Sequence, residues 1–165
     1  MCQNCEHFSL PGRTGTRPRT TDQTPHVQLN QNAPADMHSR LIGIAQSFAN
    51  VRMGKSAVSF PETTAFLLSP TIGNNSPPEA FMAQGYEFAH LHAQNDGSLH
   101  MCLPVTSLKE VYAKGWGEPH PIAGKFGFPK TIAMIFGPRD EGEFATVAGL
   151  LQMSYDFASG KISVA

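Results

Sequence analysis

The stretch Glu87–Leu103, EFAHLHAQNDGSLHMCL, reads as two short extended segments around a turn, and its register decides the fold. Asn95-Asp96-Gly97 is a strong turn signal, because glycine and the short polar side chains tolerate left-handed backbone. Side chains alternate across a strand, so His90 and His92 share a face. A two-residue Asp96-Gly97 turn pairs Ala93 with His100 and sends His100 to the opposite face. A three-residue loop pairs His92 with His100 and His90 with Cys102. Only the second register keeps Leu91, Met101 and Leu103 together as a core face. It puts His90, His92, His100 and Cys102 on the other.

Outward from this hairpin, the chain reads as helix, several strands, helix, strand, helix. Met37, Leu41, Ile44, Ala45 and Phe48 recur at helical spacing, with Asp36 as the N-cap. SAVSF (56–60) and TTAFLLS (63–69) read as extended, split by Pro61, and EAFMAQGYEFAHLHA (79–93) as a strand or strand pair broken at Gly85. Ser107 with Glu110, and Asp140 with Glu143, form capping boxes opening two further helices. Residues 116–130 carry an excess of glycine and proline and read as an irregular loop, followed by the buried strand TIAMIF (131–136). Hairpins with helices but no strand–helix alternation give an α+β class: an antiparallel sheet of about four to five strands, with helices mainly on one face.

At 165 residues the chain makes one domain, expected over residues 35–165. Residues 1–34 are rich in Thr, Pro, Gln, Asn and Arg and predict a flexible polar tail, with Arg13, Arg17 and Arg19 expected in solvent rather than on a partner. Twelve basic residues against thirteen acidic ones argue against nucleic acid or an anionic membrane as a partner. No run of about 18 apolar residues occurs, and no signal peptide is read, so a cytoplasmic protein is expected. Three cysteines are not a disulfide framework; Cys2-x-x-Cys5 with His7 has only half of a zinc spacing.

Four of the seven histidines, His90, His92, His100 and His120, fall between positions 90 and 120. Imidazoles on one wall suit a metal that takes nitrogen ligands and keeps an open position. The same residues serve as metal-free proton carriers, since imidazole titrates near neutral pH. Strand parity puts Glu87 off the histidine face unless Gly85 or a bulge re-aims it; its alternative role is a carboxylate that orients a ring from behind. Trp116 is either a stacking surface over an aromatic ligand or a core anchor behind its loop. Cys102, on the histidine face, is a candidate for the substrate wall or a small buried hydrophobe.

The joint pattern EFAHLH, GSLHMCL, GWGEPHPIAG and FGPRDEGE resembles the luciferase domain of luminous fungi and its non-luminous relatives. The likeness rests on Glu87, Ala89, His90, His92, Leu99, His100, Gly115, Trp116, Gly117, His120, Pro121, Ala123, Gly124, Pro138 and Arg139. It covers roughly residues 85–157. The resemblance implies a small oxygenase, with O2 as co-substrate, acting on a phenolic or enolic metabolite such as the hydroxypyrone 3-hydroxyhispidin. On that reading the catalytic set is His90, His92, His100, His120 and Glu87, with Trp116 and Cys102 against the substrate. A divalent metal (Fe, Mn or Zn) is a candidate on the four histidines. The alternative is a non-catalytic module that binds a small molecule or metal.

Overall fold

The computed structural model describes residues 8–162. Helix α1 (Ala35–Ser47) leads into a hairpin of β1 (Val51–Lys55) and β2 (Thr64–Leu68). A short α2 (Pro70–Gly73) and a 3-10 turn (Pro78–Ala80) precede the second hairpin, β3 (Glu87–Leu91) and β4 (Leu99–Cys102). Then follow α3 (Val105–Ala113), β5 (Gly117–Pro119), β6 (Ile132–Ile135) and α4 (Glu141–Ala158). The strands make one antiparallel sheet in the order β1-β2-β3-β4-β6-β5.

The α+β class is as expected, but the sheet has six strands rather than four to five. The extra edge comes from the segment read as an irregular loop. Gly117 there lies so close to β6 that a Cβ would sit 2.2 Å from the Met134 carbonyl oxygen. A glycine that looks like a loop signal in sequence is here what lets β5 pair. The first hairpin is also shifted: the strand is Val51–Lys55, and SAVSF is a bend. Its backbone is diverted to hold Glu87, which accepts from the Ser56 hydroxyl at 2.7 Å and the Ala57 N–H at 3.1 Å.

Helices α1 and α4 pack on one face of the sheet, over a core including Leu41, Phe66, Ala89, Leu91, Leu99, Met101, Val147 and Leu151. Two of the three expected helix starts differ. Pro34 occupies the cap position of α1, with Asp36 in the first turn, where a carboxylate still meets the positive end of the helix dipole. Helix α3 starts two residues before Ser107, whose hydroxyl donates to the Pro104 carbonyl (2.8 Å), while Glu110 accepts from the Leu10 N–H (3.0 Å). At α4, Asp140 caps as expected, accepting from the Glu143 N–H at 2.9 Å. The Glu143 carboxylate reaches the Arg139 N–H (2.9 Å) instead of Asp140.

The central hairpin corrects the expected register without changing its faces. His90 pairs with His100 and Leu91 with Leu99, and the His92 N–H donates to the Ser98 carbonyl at 3.0 Å. The loop is therefore five residues, Ala93–Gly97, rather than three. It closes through the Asp96 and Gly97 N–H groups, both 2.9 Å from the Ala93 carbonyl, with Gly97 at φ 73°. The offset from the expected register is two residues, so side-chain parity survives and the three histidines stay on one face.

Residues 8–34, expected as part of a tail, lie against the domain. The Arg13 N–H donates to the Lys114 carbonyl (2.9 Å), and the Trp116 indole N–H to the Pro11 carbonyl (2.6 Å). Buried Gln28 spans the arm: its amide donates to the Asn30 and Gln31 carbonyls, each at 2.9 Å, and accepts from the Gly137 N–H at 3.0 Å. Arg13 reaches Glu143 at 3.6 Å and Arg17 pairs with Glu118, so two of the tail's arginines find partners within the chain. Polar side chains anchor this segment to the main chain, which is why apolar periodicity did not reveal it. Cys2, Cys5 and His7 lie outside the described residues.

Candidate functional site

The sheet face opposite α1 and α4 is covered by the arm, the 56–60 bend and the 120–128 loop. Between them is a cavity of about 560 Å³. His26, His90, His92, His100 and His120 supply its polar lining, and Val58, Phe60, Ile122, Phe128 and Ile132 its apolar lining.

His90 and His100 face each other across β3 and β4. Residue Glu87 joins them because β3 carries a bulge: Phe66 pairs with Ala89, but the next residue, Leu67, pairs with Glu87. One extra residue, Phe88, is absorbed; it packs towards Tyr155 of α4, with ring centres 6.2 Å apart. Fully buried Glu87 accepts from His90 Nδ1 at 2.8 Å. That fixes the proton on Nδ1 and leaves His90 Nε2 to accept from His100 Nδ1 at 3.0 Å. The lone pair of the relay therefore emerges at His100 Nε2, which is buried and has no hydrogen-bond partner among the described residues.

A second carboxylate orients His92. Its Nδ1 lies 2.9 Å from Asp96 Oδ2 and 3.1 Å from the Ser98 hydroxyl. Asp96 is held in turn by the Ser98 N–H at 3.0 Å and the Gln28 N–H at 3.3 Å. Although burial opposes it, the bonds from His92 and Ser98 keep the Asp96 carboxyl below its ordinary value.

The arm contributes His26, which stacks on His100 with ring centres 5.3 Å apart; His120 stands edge-on to both, 5.0 Å from His26 and 4.5 Å from His100. His26 Nε2 donates to Glu118 Oε1 at 2.7 Å, leaving Nδ1 buried and without a partner among the described residues. His120 Nδ1 receives a long contact, 3.3 Å, from the Ile122 N–H. Burial pushes His26 and His120 each down to about 4, helped by neighbouring histidines, and pushes His100 well below its ordinary value. His90 is lowered too, burial outweighing its bond to Glu87. The common direction favours the neutral form of these four rings. One ring nitrogen on each of His26, His100 and His120 lies within 4.8 Å of one on the others, and the same holds for His90, His92 and His100.

The structure thus brings together Glu87, His90, His92, His100 and His120. It does not bring Trp116 or Cys102 to the cavity wall. Trp116 is a core anchor, buried behind its loop and tied to Pro11. Cys102 shares the parity of His100 but is fully buried, and its thiol is pushed up to about 12 by burial. Sequence reading missed His26, Asp96 and Glu118. The four-residue spacing of His92 and Asp96 across a turn was a usable signal for one of them, and the alternation of Glu118 with His120 for another. His26, in a polar segment without periodicity, had none.

This is an α+β protein whose sheet presents a carboxylate-buttressed histidine cluster to a half-apolar cavity. The Luciferase domain family matches residues 85–154. Over 162 residues the chain is 32% identical to a luciferase of Armillaria ostoyae, 31% to one of Armillaria gallica and 30% to one of Neonothopanus nambi. Each match covers 90% of this chain and 60% of the relative, so the chain spans about 60% of the length of the curated relatives it matches. Residues 85–154 are thus similar to the Luciferase domain, and most of the chain is similar to the fungal luciferases. No solved structure matches it. Among the described residues, no helix is long and apolar enough to cross a membrane.

Proposed function

We propose that the cavity binds a planar, electron-rich enol or phenol, of the hydroxypyrone kind, and directs its reaction with O2. The observation that carries this reading is the position of His92, held by Asp96 at 2.9 Å on the wall of a cavity that is also lined by apolar side chains. A ring oriented by a carboxylate and open at its other nitrogen has the arrangement of a general base.

The apolar lining, Val58, Phe60, Ile122 and Phe128, takes the flat face of the substrate and excludes water. His92 Nε2 then removes the enol proton, which Asp96 stabilises on the ring. The enolate carbon gives an electron pair to O2: a carbon–oxygen bond forms, the carbon is oxidised, and oxygen becomes a carbon-bound peroxide. The proton on His92 is available to the peroxide. The relatives' name, luciferase, agrees with an oxidation of this class.

Oxygen uptake by the full chain, measured with a panel of 3-hydroxypyrones and catechols, tests this. Turnover is expected with at least one of them, reduced about 100-fold or more in His92→Ala and about 10-fold or more in Asp96→Asn. Saturable binding of the panel with no oxygen uptake overturns the reaction in favour of a binding module.

A further inference from the structure

The cavity holds two overlapping groups of three histidines, and their hydrogen bonds distinguish them. In His90, His92 and His100, both nitrogens of His90 are occupied, one by Glu87 at 2.8 Å and one by His100 at 3.0 Å. That group is a proton relay with no free nitrogen on its middle ring. In His26, His100 and His120, the first two rings present buried nitrogens without partners, and their tautomers are fixed so that these atoms carry lone pairs. His120 gives up only one long contact, at 3.3 Å, to turn a lone pair inward.

Ring spacing agrees. With metal–nitrogen bonds of about 2.1 Å, imidazoles sharing one ion in a near-tetrahedral arrangement put their ring centres about 5 Å apart. The observed separations are 5.3, 5.0 and 4.5 Å. A buried polar atom without a partner is costly, and two such atoms in one cluster of rings call for a shared ligand. Behind the rings stand the supports that metal-ligating histidines ordinarily have: Glu118 on the far nitrogen of His26, and Glu87 acting through His90 on that of His100.

We infer that His26, His100 and His120 form a three-histidine site for a divalent first-row transition metal, with its open position towards the cavity. The ligand set is all nitrogen, which suits zinc, copper, nickel or iron over calcium or magnesium. Glu118, bound to both His26 and Arg17, positions its ligand through the far nitrogen and does not itself reach the ion. The site rests on the same cavity as the proposed reaction but not on its oxygen chemistry. A bound ion there would lower the proton affinity of an enol oxygen placed on the open position.

The test reads binding directly. The full chain, stripped with a chelator and titrated separately with Zn²⁺ and Co²⁺, is expected to take up one equivalent of either, Co²⁺ developing the visible absorption of a four- or five-coordinate nitrogen site. His26→Ala and His120→Ala, with unfolding temperatures confirming that they fold, should each weaken Zn²⁺ binding at least about 100-fold. Glu118→Gln should keep the stoichiometry and weaken binding about 10–100-fold. Uptake below about a tenth of an equivalent by the wild-type chain overturns the site, whatever the variants do, and so does a folded His26→Ala that binds as tightly as wild type. Metal uptake without oxygen consumption leaves the site standing and removes the reaction; turnover with no uptake does the reverse.

Discussion

His90 Nε2 lies 3.0 Å from His100 Nδ1, and the other nitrogen of His90 lies 2.8 Å from Glu87. A buried carboxylate thus sets the tautomer of a ring two links away. Glu87→Gln keeps the shape but no longer dictates where the proton sits, because an amide can present a donor or an acceptor. Turnover is expected to fall about 10-fold or more with KM little changed, as removal of a histidine's carboxylate partner does. Steady-state kinetics beside an unfolding curve check this; a parallel loss of stability would mean that Glu87 acts only as a structural group.

Buried Gln28 ties the arm to the sheet through bonds from its side chain to Asn30, Gln31 and Gly137. Gln28→Ala leaves the Gly137 N–H without that acceptor, which costs about 1–3 kcal/mol. The arm also carries His26, so Zn²⁺ affinity should fall with stability although no ligand has been changed. Chemical denaturation and metal titration of the same variant read the two effects.

Glu143 is the anchor of the Arg13–Arg139 cluster. Burial raises its carboxyl, but the bonds from Arg139 and the charge of Arg13 prevail and hold it below the ordinary value. A depressed carboxyl contributes stability above its unfolded-state value and loses that contribution as pH falls through the folded one. Glu143→Gln should therefore cost about 2 kcal/mol at pH 7, and the gap from wild type should shrink below about pH 4. Denaturant midpoints from pH 7 to pH 3 test it; a gap that stays constant would show that charge plays no part.

Gly117→Ala forces a Cβ to within 2.2 Å of the Met134 carbonyl oxygen, and backbone cannot step aside as a side-chain tip can. Overpacking of this kind costs about 1–3 kcal/mol or more. The expected result is a destabilised protein whose β5 edge exchanges amide hydrogens faster, whereas Gly43→Ala in α1, where a Cβ meets nothing within 4 Å, should not destabilise.

By itself the sequence determined the α+β class, the central hairpin and the shared face of His90, His92 and His100. All three follow from local rules: alternation along a strand, a glycine-bearing turn and helical spacing of apolar residues. Parity is robust, so the histidine face survived a register two residues off. Tertiary structure alone decided what lies across from that face. The bulge that turns Glu87 inward depends on how β3 accommodates β2, and β5 depends on a close approach that only a neighbouring strand defines. His26 reaches the site because Gln28, Arg13 and Arg139 fasten a polar segment through hydrogen bonds between residues about 100 positions apart, and such bonds leave no periodic trace in the chain.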